Sequence, residues 1–196
     1  MKKIFFSLFL TASVFTSLAQ TKSDTSKHLT FKGVPIDGTL AEYVSKMKES
    51  GFTQKSAKEG IAILEGDFAS YKSCTIEVST LKQKDLVNKI AVMFQRQDTW
   101  SSLSSIYFNL KELLTEKYGK PSESIEKFPP HTPDEDGSKM IEVKLDACKY
   151  YTTYETGKGT IQLVIEHESL KGCFVKLAYF DKINSEIVKK QALDDL

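Results

Sequence analysis

The stretch Asp98–Pro121, DTWSSLSSIYFNLKELLTEKYGKP, divides the chain into two parts that read alike. Leu103, Ile106, Tyr107, Leu110, Leu113, Leu114 and Tyr118 recur three and four residues apart. That spacing lays one apolar stripe along a helix of about five turns at 3.6 residues per turn. Asp98 or Thr99 offers the oxygen that caps its start, and Gly119 with Pro121 stops it. Trp100, in the first turn, reads as a core or capping contact.

Working outward, strand-like runs lie on both sides. Before the helix come IAILEGDF, YKSCTIEVST and VNKIAVMFQ, separated by Gly66 and by the turn LKQKD. After it come MIEVKLDACKYYTTYET, TIQLVIEHE and CFVKLAYF, the first two joined as a hairpin through Gly157-Lys158-Gly159. Earlier still, Leu40, Tyr43, Val44 and Met47 form a second helical stripe, with Thr39 or Asp37 as N-cap and Gly51 as terminator. NSEIVKKQALDDL, capped by Asn184 or Ser185, makes a short tail helix. Consecutive strands separated by single helices predict an α+β fold. We expect an antiparallel sheet with two main helices packed on one face. A degenerate tandem repeat of helix plus three strands, with halves 31–97 and 98–181, is a possible organisation.

Lys2 and Lys3 precede the apolar run IFFSLFL, and Ser17-Leu18-Ala19 supplies small residues at a cleavage site. This order predicts a signal peptide over 1–19, too short for a membrane span. Removing 19 of 196 residues leaves 177, with a flexible lead over 20–28 and one domain over 29–196. The expected location is periplasmic or extracellular, as a soluble protein without a membrane span. Loss of Lys2 and Lys3 takes the basic count from 27 to 25 against 26 acids, so the formal charge moves from +1 to −1. Lysines alternate with acids along the chain and form no basic surface, which argues against nucleic acid as a partner.

Gly33 and Gly38 stand before the first helix, but no lysine follows Gly38 and Pro35 removes a donor, so no phosphate cradle forms. They punctuate a strand-to-helix turn. His28, His131 and His167 lack ligand spacing. In Glu166-His167-Glu168, alternation sends the histidine to the opposite strand face. HTPDEDGS is a poor calcium loop: with Gly137 at its sixth position, the twelfth is Val143 and not glutamate. No nucleophile elbow is present. We therefore expect no catalytic residue, no metal and no cofactor. Cys74 and Cys173 alternate with apolar residues and Cys148 with charged ones; two buried thiols or a Cys74–Cys173 disulfide both fit.

A binding surface remains. In CKYYTTYE, Tyr150, Thr152 and Tyr154 share one strand face, and exposed tyrosines anchor proteins or stack on sugars. The long interval Gly119–Lys139 holds four of the five prolines. SESIEKF reads as a brief edge strand and PPHTPDEDG as loop, and Pro121–Lys139 as a whole is expected to contribute little to the core. Pro129, Asp134 and Asp136 join Tyr150, Thr152 and Tyr154 as candidate partner-binding residues. The expected function is a non-enzymatic binding module for a protein or peptide. An envelope hydrolase with a site formed only in space, and a glycan-binding accessory protein, are the alternatives.

Taken together, Ala19-Gln20, FKGVPIDGTLAEYVSKMKESGF, FNLKELLTEKYGKPSE, GTIQLVIEH and VKLAYFDKIN resemble a group of small exported proteins from Bacteroidetes that carries no assigned activity. In element order the chain is also similar to β-lactamase inhibitor proteins. That resemblance implies a protein partner held across a sheet face, and it transfers no residue.

Overall fold

The structure, a computed structural model, describes residues 26–81, 84–128, 130–168 and 172–194. The expected leader at 1–19, the lead up to residue 25, and Pro129 lie outside the described residues.

A small hairpin, β1 (Thr30–Phe31) with β2 (Val34–Pro35), opens the fold. Helix α1 (Leu40–Glu49) follows, closed at its start by a reciprocal cap. Thr39 Oγ1 accepts from the Glu42 amide at 3.3 Å, and Glu42 Oε2 accepts from the Thr39 amide at 3.1 Å. Then come β3 (Thr53–Lys58), β4 (Ile61–Phe68), β5 (Tyr71–Thr80) and β6 (Val87–Met93). Helix α2 (Trp100–Tyr118) is capped by Thr99 and ends at Gly119. Strand β7 (Glu123–Lys127), helix α3 (Asp136–Lys144), strands β8 (Lys149–Thr156), β9 (Gly159–His167) and β10 (Cys173–Asp181), and helix α4 (Lys182–Asp194) complete it. No helix among the described residues is long and apolar enough to cross a membrane.

The eight longer strands form one antiparallel sheet in the order β3-β4-β5-β6-β10-β9-β8-β7, so the α+β reading holds. Register fixes which side chains share a face, because successive residues of a strand point to opposite sides. One row runs Leu64, Ile76, Val92, Leu177, Leu163, Thr152, Ser124 across seven strands, and all but Ser124 are buried. Helix α1 lies against β3, β4 and β5; α2 lies against β8, β9 and β10; α3 touches α2, β9 and β10. Tyr43, Val44 and Met47 of α1 and Leu103, Tyr107, Leu110 and Leu114 of α2 enter the same core as this row. Leu113, counted in the apolar stripe, is instead half exposed.

Leu110 is 2% exposed. Leu110→Ala should lower stability by about 3 kcal/mol, from lost transfer energy plus the cavity left behind. A urea midpoint shift worth less than about 1 kcal/mol would contradict the packing of α2.

Several expectations are corrected. Six strands and the SESIEKF edge were expected in the sheet, which has eight strands among the described residues. β3 shows no apolar alternation, since all its residues are polar or small and exposed, and only pairing with β4 makes it a strand. β7 is the edge strand expected in SESIEKF. MIEVK is not the start of a long strand. It belongs to α3, which buries Met140 and Val143 at helical spacing. Asp146, with φ 59°, then separates α3 from β8. PPHTPDEDG is loop only in part, because Asp136 and Gly137 begin α3. Asn184 does not cap the tail helix. The helix starts at Lys182, and Asp181 accepts the Asn184 amide at 2.9 Å.

Candidate functional site

The nominated tyrosine face is the covered one. Thr152 is fully buried and Tyr154 is 1% exposed. Tyr154 Oη donates to the Lys111 carbonyl at 3.0 Å and pairs with Thr115 Oγ1 at 2.9 Å. Thr152 Oγ1 meets Tyr107 Oη at 2.7 Å and Ser124 Oγ at 3.0 Å. Tyr107 Oη also reaches Glu126 at 3.2 Å, and Lys111 closes the group by pairing with Glu126. Tyr150 is half-buried among Trp100, Phe128 and Tyr107, with ring centroids 4.8, 5.3 and 5.9 Å away. Alternation placed these three residues together correctly, but α2 lies on that side, takes the hydroxyls of Thr152 and Tyr154, and packs Trp100 and Tyr107 on the Tyr150 ring. Tyr150, Thr152 and Tyr154 therefore make no outward patch.

This network sets up a paired test. Tyr43 on α1 is fully buried and its hydroxyl has no hydrogen-bond partner among the described residues, so Tyr43→Phe should leave stability unchanged or raise it by up to about 1 kcal/mol. Tyr107→Phe removes a satisfied buried hydroxyl and should cost about 1–2 kcal/mol. Thermal or urea unfolding of both variants checks the contrast.

The acidic loop candidates also serve the fold. Both oxygens of Asp136 are engaged at the start of α2, accepting from the amides of Trp100 and Ser101 at 2.8 Å each and from the Ser101 hydroxyl. The Ser101 hydroxyl, then the two amides, hold the Asp136 carboxyl below its usual range. Asp134 is exposed, and its carbonyl accepts from Lys139 at 3.4 Å. Phe128, at the head of this loop, is buried against Trp100 at 4.9 Å. The interval is thus a second cap and a lid on Trp100, not a segment without a share in the core.

All three cysteines are free thiols, and β6 lies between the strands bearing Cys74 and Cys173. Burial, with Glu142, Asp146 and Cys173 nearby, pushes the Cys148 thiol up to about 11, so it stays protonated at neutral pH. His167 Nε2 lies 3.8 Å from Asp146, and its buried Nδ1 has no partner among the described residues. Among the described residues no group of three ligand-type side chains is placed to hold a metal.

The opposite sheet face has a different character. Its central row runs Ile63, Glu77, Ala91, Ala178, Gln162, Thr153, Glu123, and the next runs Glu65, Thr75, Met93, Lys176, Val164, Tyr151, Ile125. Most of these side chains are partly exposed, and Glu65, Gln162 and Glu123 are exposed. The exceptions, Ala91, Ala178 and Thr153, are short and sit below their neighbours. Lys89 pairs with Glu77 at 3.4 Å and lies over the Phe180 ring at 6.0 Å, while Lys176 pairs with Glu166. Tyr151 donates to Glu123. Around Ala178, the residues Tyr151, Val164, Lys176, Phe180 and Gln162 line a depression of about 300 Å³. Sequence reading missed this site because its members come from strands far apart in the chain. The one available signal was the alternation of Phe174, Lys176, Ala178 and Phe180 in β10.

Compared with known proteins, the chain matches no family model, no curated protein and no solved structure.

Proposed function

We propose that the protein is an exported, non-enzymatic binding module that holds a folded protein partner on the uncovered sheet face. The observation that carries this reading is the size and make-up of that face. Eight strands about 4.8 Å apart span about 34 Å, and some 20 Å of strand length gives an area on the order of 700 Å². That is near the ~800 Å² each partner contributes to an interface of standard size. Aromatic and aliphatic side chains at its centre, Tyr151, Val164 and Phe180, are ringed by mutually paired charges. Such a centre and rim suit a macromolecule better than a small substrate. Export rests on the leader, with Lys2, Lys3, the apolar run and Ala19 in order. We also read the mirrored strand order, β3 to β6 against β7 to β10, as a tandem duplication of a helix-and-strands unit. The similarity to β-lactamase inhibitor proteins in element order supports the same mode of binding.

Three baits test the reading in envelope extracts of the native host: the wild type, a Tyr151→Ala/Phe180→Ala double variant, and Glu112→Ala on the exposed side of α2. One protein should be retained by the wild type and by Glu112→Ala and be lost with the double variant. Equal capture by all three, or capture by none, would overturn the proposal.

A further inference from the structure

A groove of about 740 Å³ runs between α1 and β3, lined by none of the uncovered-face side chains named above. Its floor is apolar: Leu40, Ala41 and Val44 from α1, Ala57 from β3, and Leu81 beyond β5. Along one wall runs β3, which has a single neighbour, β4, in the sheet. Every β3 side chain is exposed, and among the described residues its outer backbone N–H and C=O groups face no strand. The other sheet edge is not equivalent, because Tyr107 and Lys111 of α2 reach over to Glu126 of β7.

Charge decides what fits. The acids at the groove are committed: Glu59 pairs with Lys58 at 3.1 Å, and Asp85 accepts the Leu40 amide at 2.9 Å. Lys48 and Lys84, both exposed and both lining the groove, have no ion pair among the described residues. Lys55 and Lys58 of β3 do not line the groove and are already paired, with Glu65 at 3.4 Å and with Glu59.

We propose that β3 and α1 form a docking site for an extended acidic peptide, which joins the sheet as a ninth strand on the outer edge of β3. Its main chain pairs with the free edge, alternate apolar side chains enter the α1–β3 groove, and its carboxylates meet Lys48 and Lys84. Main-chain pairing supplies affinity in this mode, and side-chain pockets with charge supply selectivity. The site is independent of the uncovered face.

The test is fluorescence anisotropy with a labelled six-residue peptide of alternating valine and glutamate. The wild-type protein should bind it, more weakly as salt rises, because exposed charges are screened. Lys48→Glu/Lys84→Glu should weaken binding at least tenfold and should gain affinity for the valine–lysine counterpart. Both lysines are exposed, so this variant should melt like the wild type. Methylating alternate backbone nitrogens of the probe should abolish binding. The Tyr151→Ala/Phe180→Ala protein should bind as the wild type does. No binding by the wild type, unchanged affinity in the lysine variant, or unchanged affinity of the methylated probe would each overturn the proposal.

Discussion

Gly159→Ala should lower stability by about 4 kcal/mol, while Gly157→Ala, two residues away, should change it by less than about 0.5 kcal/mol. Gly159 opens β9 with φ 154°, a conformation L side chains rarely adopt. A methyl group there would stand 2.1 Å from the Phe180 carbonyl oxygen and 3.1 Å from the Lys182 nitrogen. Those atoms cannot withdraw cheaply. Gly159 is paired opposite Asp181, and the Lys182 amide donates to the Lys158 carbonyl at 3.0 Å. Thr156 Oγ1 pins the turn as well, accepting from the Gly159 amide at 3.0 Å and donating to its carbonyl at 2.7 Å. Strain at φ and overlap with backbone therefore add. At Gly157 a methyl group meets nothing within 4 Å. Urea midpoints for the two variants should separate widely; similar midpoints would mean that β9 and β10 are not packed as described.

A loss of about 4 kcal/mol is also expected for Asp181→Ala. Asp181 is fully buried at the end of β10 and ties three segments together. Its carboxylate accepts the Leu29 amide at 2.8 Å, the Asn184 amide at 2.9 Å and His28 Nδ1 at 3.0 Å. Removing it leaves two buried backbone donors unpaired, each costing about 1–3 kcal/mol, and strips α4 of its cap. Asn184 then loses the anchor that aims its amide at the Ile36 and Val87 carbonyls, 3.1 and 2.9 Å away. His28→Ala should cost less, about 1–2 kcal/mol, because the ring is partly exposed and the two backbone donors keep their acceptor. Calorimetry on both variants distinguishes the roles. Equal losses would show that the His28 contact, not the buried amides, is what Asp181 contributes.

Neither Asp181 nor Gly159 stood out as decisive in the sequence, and the reason is physical. Apolar spacing revealed α1, α2 and most of the sheet, since helix and strand periods differ and the stripes are long. It failed at β3, whose exposed residues carry no apolar period, and at α3, where Met140 and Val143 were too few to outweigh the strand-like run that follows. For Tyr150, Thr152 and Tyr154 alternation was legible, but alternation does not say which face a helix will cover. The Thr152 and Tyr154 hydroxyls meet Tyr107, Thr115 and the Lys111 carbonyl, partners more than 30 residues away. The uncovered face was illegible for the same reason: Tyr151 and Phe180 become neighbours only through the β8–β9–β10 pairings. Asp136 looked like a loop acid because nothing local marks it as the cap of a helix that begins 36 residues earlier.

Hydroxyl-radical footprinting of the free protein and of its complex with the captured partner tests the central claim most directly. Free in solution, Tyr151 and Phe180 should be oxidised readily, while Tyr154, at 1% exposure, should resist. In the complex, Tyr151 and Phe180 should become protected together with Val164, and Phe108 on the α2 side should react as before. Rapid oxidation of Tyr154 in the free protein, or undiminished oxidation of Tyr151 and Phe180 in the complex, would contradict the account.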